Sequence, residues 1–154
     1  MQVYDPVFGF AWFAHPAVLV TQLTVEHGTQ QLARHVHDVI DHVLEHARAE
    51  VRSSGGLYII HDFRSMTGYD KEGRVEFLQR MRRRGSGYSR GAAVAFQMDR
   101  PLLKMAVQGA NLVSALSVKA PLVMVEDPRS IVESEIRLPP LPGEPFPGLE
   151  TSGR

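Results

Sequence analysis

Three short apolar runs, separated by segments of helical length, constrain the fold of this chain most strongly. They cover residues 57–60, 92–96 and 122–125. Runs this short that are apolar throughout are typical of strands covered on both faces. Strands separated by helices pair in parallel through right-handed crossover connections. The sequence therefore predicts an α/β domain with a parallel sheet at its centre.

The segment from residue 29 to residue 52 has the clearest helical periodicity. Its apolar residues recur at steps of three and four, the spacing of one helix face; they are Leu32, Val36, Val39, Ile40, Val43, Ala47 and Val51. Thr29 is a favourable N-cap residue. The sequence SSGG at residues 53–56 is expected to end this helix.

Three further helices are predicted. One covers about residues 70–84, with Val75 among its inward positions. Asp99 with Pro101, and Asp127 with Pro128, predict the starts of the other two, because a capping side chain followed by proline is a favourable first turn. The apolar positions of the middle helix include Leu102, Leu103, Ala106, Val107, Ala110, Val113 and Leu116.

The N-terminal region is expected to add an antiparallel hairpin. Residues 9–14 and 17–25 are rich in aromatic and β-branched residues, and His15-Pro16 lies between them. The fold class is therefore a single α/β domain with a mixed, mostly parallel sheet, an N-terminal antiparallel hairpin and about four helices. We expect it to span residues 1–138. Residues 139–154 contain five prolines and predict a disordered or extended tail.

Composition narrows the classes of function. Lys plus Arg and Asp plus Glu both total 17, so the net charge is zero, which argues against bulk attraction to nucleic acid or anionic membrane. The chain has no cysteine, which excludes disulfides and thiolate metal sites. The N-terminus lacks signal-peptide features, and no run approaches the roughly 20 apolar residues of a membrane span. A cytoplasmic location is expected.

Three segments together resemble a known family. They are IIHDFRSMTGYDKEGR, GAAVAFQMDRPLLKMAV and APLVMVEDPRSIVES, each a strand that leads through a polar turn into a helix. Their order and spacing resemble the SpoIIAA-like branch of the STAS (anti-sigma-factor antagonist) domain family over roughly residues 8–136. The resemblance implies a regulatory or scaffolding module that is not an enzyme. It also implies a likeness to lipid-carrying SEC14-type domains.

The resemblance also implies a switch that acts by phosphorylation, but this sequence lacks the family's acceptor residue. In the family, a Ser or Thr at the start of the second helix is phosphorylated, and the added charge blocks docking of the partner. The corresponding positions here hold Lys71 and Glu72. Ser65 and Thr67 lie in the preceding turn, displaced from the motif. We therefore do not transfer the switch to this chain.

The strand-end turn and the second helix carry the candidate binding site. Its residues are Arg64, Ser65, Thr67, Gly68, Asp70 and Arg74. One interpretation is a surface for a protein partner of unknown identity. The other is purely structural, because Asp62 can accept backbone N–H groups and Thr67 with Asp70 can form a capping-box variant. His61, just before the turn, is expected to be a packed core histidine.

Two alternatives to a protein-binding module stay open. One is a carrier or sensor of a small apolar, lipid-like ligand between the sheet and the helices, which requires a closed pocket of roughly 300 Å³ or more. The other is an enzyme that uses a His/Asp site on the first helix, but no nucleophile elbow, Walker loop or dinucleotide fingerprint is present. A homodimer is possible through the aromatic strand around Trp12. We expect no cofactor.

Two clusters of polar residues have weaker functional interpretations. His42 and His46 are spaced to reach one metal ion, with Asp38 as a further ligand, but the same positions form the solvated face of the helix, and we expect no metal site there. His37 and Asp41 fall near the boundary between the faces of that helix. The basic run of Arg80, Arg82, Arg83, Arg84 and Arg90 could contact phosphates or an acidic protein, or could simply complement the helix dipole.

Overall fold

The computed structural model describes residues 2–134. The predicted tail at residues 139–154 lies outside the described residues. The strands are β1 (Gln2–Asp5), β2 (Gly9–Ala14), β3 (Val18–Leu23), β4 (His27–Gly28), β5 (Leu57–Asp62), β6 (Gly68–Tyr69), β7 (Ser89–Ala95) and β8 (Leu122–Val125). The helices are α1 (Gln30–His46), α2 (Arg48–Ser53), α3 (Lys71–Arg84), α4 (Pro101–Val113), which continues into a π-helical turn (Ser114–Val118), and α5 (Pro128–Ser134).

Six strands form one mixed sheet in the order β1-β2-β3-β5-β7-β8. β1, β2 and β3 pair antiparallel, whereas β3, β5, β7 and β8 pair in parallel. Ile60 is opposite Ala93, and Ala93 is opposite Val123, so the three apolar runs are neighbours in register. The predicted parallel centre and antiparallel N-terminal hairpin are therefore confirmed. β1 was not predicted, because four residues are too few for a clear alternation.

The helices cover the two faces of the sheet unequally. α1 packs on one face around Leu19, Ile40 and Ile59, and α3 packs against α1. α5 contacts β5, β7 and β8, and its Ile131 packs with Trp12 in a separate cluster. None of the helices within residues 2–134 is long and apolar enough to cross a membrane.

Two predicted features of the helices are wrong. The long first helix is interrupted at Ala47, where φ is −106° and ψ is 25°. After this break, Glu50 hydrogen-bonds the backbone N–H of Ala17 at 3.0 Å and His15 Nδ1 at 2.6 Å, so α2 is anchored to the β2–β3 turn. Asp99 does not cap α4, because Arg100 is the N-cap residue and no side chain caps the helix.

Candidate functional site

The strand-end turn is held by a second, two-stranded sheet. β5 ends at Asp62, and the chain then turns towards the loop that follows β3. There β4 and β6 pair in parallel, with His27 opposite Gly68. The backbone N–H of Thr67 donates to the Glu26 carbonyl oxygen at 2.8 Å. These contacts fix the turn at the carboxyl ends of the parallel strands, where ligands and partners commonly meet open α/β sheets.

Asp62 and Arg64 form a bidentate ion pair inside this turn. Arg64 Nε and Nη2 donate to the two carboxylate oxygens of Asp62 at 2.8 and 2.9 Å. Gln22 Nε2 also donates to Asp62 Oδ2, at 3.2 Å. The backbone N–H of Arg64 reaches Asp62 Oδ1 at 3.3 Å, which confirms that Asp62 accepts a backbone hydrogen bond. The hydrogen bond to Asp62 raises the pKa of Arg64 above its usual value.

The hydroxyl groups of the turn have local acceptors. Ser65 Oγ lies 2.8 Å from the Leu23 carbonyl oxygen and 2.9 Å from that of Val25. Thr67 Oγ1 donates to the Glu26 carbonyl oxygen at 3.3 Å. Both side chains therefore tie the turn to the segment that follows β3. A partner role for Ser65 and Thr67 stays a prediction.

Asp70 joins the turn to β4 and does not form the predicted capping box. It is the N-cap residue of α3, but its side chain makes no capping hydrogen bond. Its Oδ1 lies 2.7 Å from His27 Nε2 instead, because the β4–β6 pairing brings this histidine alongside. Arg74, one turn further along α3, is exposed. It is the candidate whose side chain remains most available to a partner.

The Asp62–Arg64 pair leads to a prediction about stability. The Asp62 side chain is only 6% exposed, so Arg64→Ala would leave a buried carboxylate without its cation. We expect the free energy of unfolding to fall by about 2 kcal/mol. Arg74→Ala, at an exposed position, should change it by less than about 0.5 kcal/mol. Urea denaturation of both variants measures the difference, and equal effects would contradict the structural role of Arg64.

An apolar cavity lies between the sheet and helices α1, α3 and α4. Its volume is about 130 Å³. Apolar side chains make up most of its lining, among them Ile59, Phe63, Phe77, Leu103 and Val107. The lining also includes exposed Arg74, so the cavity approaches the surface at the first turn of α3.

Two buried histidines line this cavity. His37 is 1% exposed, and Arg84 Nη1 donates to its Nδ1 at 3.0 Å. His61, as expected, is a core histidine, and its Nδ1 is hydrogen-bonded to Thr21 Oγ1 at 2.6 Å. The Phe77 ring lies between the two, at centroid distances of 4.6 Å from His37 and 5.8 Å from His61.

Burial keeps both imidazole rings neutral. It lowers the pKa of His37 from 6.5 to about 2, with Arg84 as the second cause. It likewise lowers the pKa of His61 to about 3, again with Arg84 as a lesser cause. Within the apolar cavity, the charged form of either ring would lose its hydration without gaining an anion nearby.

The outer side of α4 carries an exposed apolar stripe. Four large side chains at helical spacing are between 58% and 70% exposed; they are Leu102, Met105, Leu112 and Leu116. Leu103, Ala110 and Val113 are buried on the other side of the helix. α4 is thus apolar over a wider arc than the core can cover. On α3, the inward position predicted for Val75 is also wrong, because this side chain is 37% exposed.

The stripe is continuous with the strand-end turn. Tyr69 in β6 donates its hydroxyl hydrogen to the Leu102 carbonyl oxygen at 3.0 Å. Residues 100–120 contain the cations Arg100, Lys104 and Lys119 and no Asp or Glu. The stripe therefore has a positively charged border.

The comparisons with known proteins agree with this architecture. No family model and no curated protein sequence matches the chain. The structure is similar to that of an uncharacterized protein of the DUF3478 family from Shewanella loihica PV-4, which has a SpoIIAA-like fold. The similarity covers 80% of this chain and 88% of that chain, with a TM-score of 0.53 and 14% sequence identity. This chain has a SpoIIAA-like fold. The fold predicted from the three sequence segments is confirmed.

The histidines on the exposed side of α1 do not have the arrangement that the metal site considered from the sequence would require. In this SpoIIAA-like domain the rings of His42 and His46 stack at a centroid distance of 4.0 Å, and His46 Nδ1 donates to the His42 carbonyl oxygen at 2.9 Å. Asp38 accepts a hydrogen bond from Arg80 Nη2 at 2.7 Å. Over residues 2–134, no group of three or more His, Asp or Glu side chains is placed to hold a metal ion.

The basic run of the SpoIIAA-like domain mainly joins its own elements. Arg80 pairs with Asp38 and Asp41, and Arg84 pairs with Asp41 at 2.6 Å, so α3 is tied to α1. Arg90 donates to backbone carbonyl oxygens at the β2–β3 turn and at Gly56. Arg82 and Arg83 are exposed. These contacts account for Arg80, Arg84 and Arg90 without a phosphate ligand, whereas a binding role for Arg82 and Arg83 stays a prediction.

His37 is the residue that the sequence interpretation missed. It was placed at the boundary of the helix faces, but the structure buries it towards the cavity. A signal was present, because Ala33, His37, Ile40 and Leu44 also follow the three- and four-residue spacing of an inward face. A histidine at an apolar position of this kind is either a core residue whose hydrogen bonds are made within the protein or a polar group that lines a binding cavity.

Proposed function

We propose that this chain is a non-catalytic regulatory module that binds a protein partner through the strand-end turn, α3 and the exposed stripe of α4. The observation that carries this proposal is the apolar stripe, whose four large side chains are at least 58% exposed beside the turn. Contiguous exposed apolar surface with a polar border is characteristic of interaction sites. The SpoIIAA-like fold and the family resemblance support a regulatory role.

The charged residues beside the stripe indicate which kind of partner would bind there. Arg100 is the N-cap residue of α4, Lys104 lies on α4 and Arg74 lies on α3. No carboxylate is present between residues 100 and 120. A second copy packed stripe to stripe would bring like charges together. An amphipathic segment with an apolar face and flanking Glu or Asp side chains would satisfy both the stripe and its border. We therefore propose an acidic amphipathic helix as the partner element.

A peptide titration tests this proposal. The probe is an 18-residue amphipathic helical peptide with leucines on one face and glutamates beside them, and the comparison peptide has lysines in place of glutamates. We expect micromolar binding of the acidic peptide by calorimetry and at least tenfold weaker binding of the basic one, because the association rate and the electrostatic complementarity both depend on charge. Binding should weaken as salt increases.

Two variants of the domain locate the binding surface. Leu112→Glu, on the stripe, should weaken binding of the acidic peptide at least tenfold, because it places a carboxylate against the apolar face. Asn111→Glu is the matched control, since it adds the same charge at an exposed position of α4 outside the stripe. Equal loss in both variants contradicts the stripe as the site. Concentration-dependent dimerisation in sedimentation, or preferential binding to anionic vesicles, contradicts the acidic helix as the occupant.

A further inference from the structure

The volume of the cavity limits its ligand to a small molecule. It measures about 130 Å³, below the size that a lipid carrier requires. An apolar protein cavity of roughly 150 Å³ holds one benzene molecule. This volume is smaller than the roughly 300 Å³ set in the sequence analysis for the alternative of a lipid-like ligand. A molecule about the size of one aromatic ring would fit.

The cavity offers one polar group that the protein itself leaves unsatisfied. Among the described residues, no hydrogen bond of good geometry reaches the buried Nε2 atom of His37, and hydrogen bonding to the Phe77 backbone is only the smallest influence on the pKa of this ring. The ring is held on its other side, since Arg84 Nη1 donates to Nδ1 at 3.0 Å. Arg84 is held in turn by Asp41, at 2.6 and 2.8 Å. A buried polar atom without a partner is unfavourable for the folded state, so such atoms call for a physical explanation.

The contact with Arg84 determines which nitrogen of His37 carries the proton. A guanidinium group only donates hydrogen bonds, so Nδ1 must accept and cannot carry a proton. The ring is neutral, because burial and the neighbouring Arg84 lower the pKa of His37 to about 2. The proton of the neutral ring is therefore on Nε2. His37 thus carries a fixed N–H donor, and its side chain belongs to the lining of the apolar cavity.

The surroundings of this donor favour a neutral acceptor on the ligand. The charge of Arg84 is already compensated by the Asp41 carboxylate. A ligand carboxylate would lose its hydration in the apolar cavity without gaining a free cation. A carbonyl oxygen can accept the Nε2 proton without this cost. The Phe63 and Phe77 rings, 6.2 Å apart and nearly perpendicular, supply edges and faces against which an aromatic or flat apolar group packs well.

We propose that this cavity binds a small, neutral, mainly apolar molecule about the size of one aromatic ring, whose carbonyl oxygen accepts a hydrogen bond from Nε2 of His37. The site lies on the sheet side of α4, whereas the proposed docking stripe lies on the outer side. The cavity site therefore does not require that the stripe bind a protein partner, although Arg74 in its lining also belongs to the proposed partner surface. It makes the domain a sensor of a small molecule, with α1, α3 and α4 all in contact with the ligand.

The test uses two probes that have the same shape and differ at one group. Acetophenone carries a carbonyl oxygen, and α-methylstyrene has a methylene group in its place. Both are titrated into the full chain and followed by two-dimensional NMR. We expect both to bind, with acetophenone about three- to tenfold tighter, which corresponds to the usual net contribution of one hydrogen bond. In His37→Phe, which keeps a flat ring but removes the donor, the two affinities should become equal.

Two further measurements keep the result interpretable if His37→Phe fails to fold. In the unaltered protein, the imidazole ¹H–¹⁵N signals should show a protonated Nε2 whose proton moves downfield with acetophenone and not with α-methylstyrene. Ala106→Leu, which adds bulk to the cavity lining, should abolish binding of both probes. Ala115→Leu makes the same change at an exposed position and should leave binding intact.

Several outcomes overturn the proposal. One is that neither probe binds below its solubility limit. Another is that both bind with equal affinity to the unaltered protein, which would show that the Nε2 donor does not contribute. A third is an Nε2 signal that is already hydrogen-bonded without a probe and does not change on titration, which would indicate a buried water molecule as the partner.

Discussion

Acidification from about pH 7.5 to about pH 4.5 is expected to lower the free energy of unfolding by about 5 kcal/mol through two histidines alone. His37 and His61 are both buried against the cavity, and their pKa values fall from 6.5 to about 2 and about 3. The folded protein therefore keeps both rings neutral throughout this range. The unfolded chain protonates both near pH 6.5. A loss of this size approaches the whole stability of an ordinary domain.

The direction of this effect follows from proton binding. Between the folded and unfolded pKa values, the unfolded state binds more protons, so stability falls as the pH falls. The stabilisation is fully present above about pH 6.5. Below that value, each histidine contributes a slope of about 1.4 kcal/mol per pH unit. The slope should continue until the pH approaches the folded pKa values of about 2 and about 3.

Urea denaturation at several pH values measures this slope. His61→Phe removes one of the two titrating rings, so its slope between about pH 6 and about pH 4.5 should be roughly half that of the unaltered protein. His42→Gln is the control, because His42 is exposed and stacks only on another exposed histidine. Its slope should be unchanged. An unaltered slope in His61→Phe would show that His61 is not neutral in the folded protein.

Gly73→Ala is expected to destabilise the protein by about 3 kcal/mol, at the upper end of the range for overpacking. Gly73 lies in the first turn of α3, where the helix meets the start of α1. A Cβ atom at this position would lie 2.7 Å from the Gly28 carbonyl oxygen and 2.9 Å from the carbonyl carbon and oxygen of Thr29. These neighbours are backbone atoms, so no side-chain rotation relieves the clash, and α3 would have to move away from β4.

A second helical glycine provides the matched control. A Cβ atom at Gly109 in α4 would have no atom within 4 Å apart from its chain neighbours and the backbone of its own helix. Gly109→Ala should therefore stabilise the protein by about 0.5–1 kcal/mol, as expected from helix propensity and the lower entropy of the unfolded chain. Thermal and urea denaturation of the two variants measure both effects. The same sign of change in both would contradict the close approach of α3 to α1.

The elements that could be predicted from the sequence are those determined by local hydrophobic periodicity and by the residues that begin and end helices. The apolar runs at residues 57–60, 92–96 and 122–125 became adjacent parallel strands, because fully apolar segments of that length are stable only when both faces are covered. Pro101 is in the first turn of α4, as expected, because a proline there loses no hydrogen bond. The core position of His61 followed from its place in a buried strand.

Other features depended on which distant segments came into contact. The side chain of Asp70 was free to cap α3, but β4 brought His27 within 2.7 Å of it. Likewise, the break at Ala47 is accompanied by a contact of Glu50 with the β2–β3 turn, which is distant in sequence. Helical periodicity showed that α4 is apolar over a wide arc. It could not show that Leu102 and Leu116 lie outside the arc that the core covers.

The sequence by itself determined the layered architecture and the position of the strand-end turn, because the alternation of buried strands and amphipathic helices admits few arrangements. Only the tertiary structure decided the character of the two proposed binding sites. The burial of His37, with its Nε2 atom unpaired, and the exposure of the α4 stripe both depend on how α1, α3 and α4 pack over the sheet. Packing is a property of residues far apart in the chain, and local spacing does not encode it.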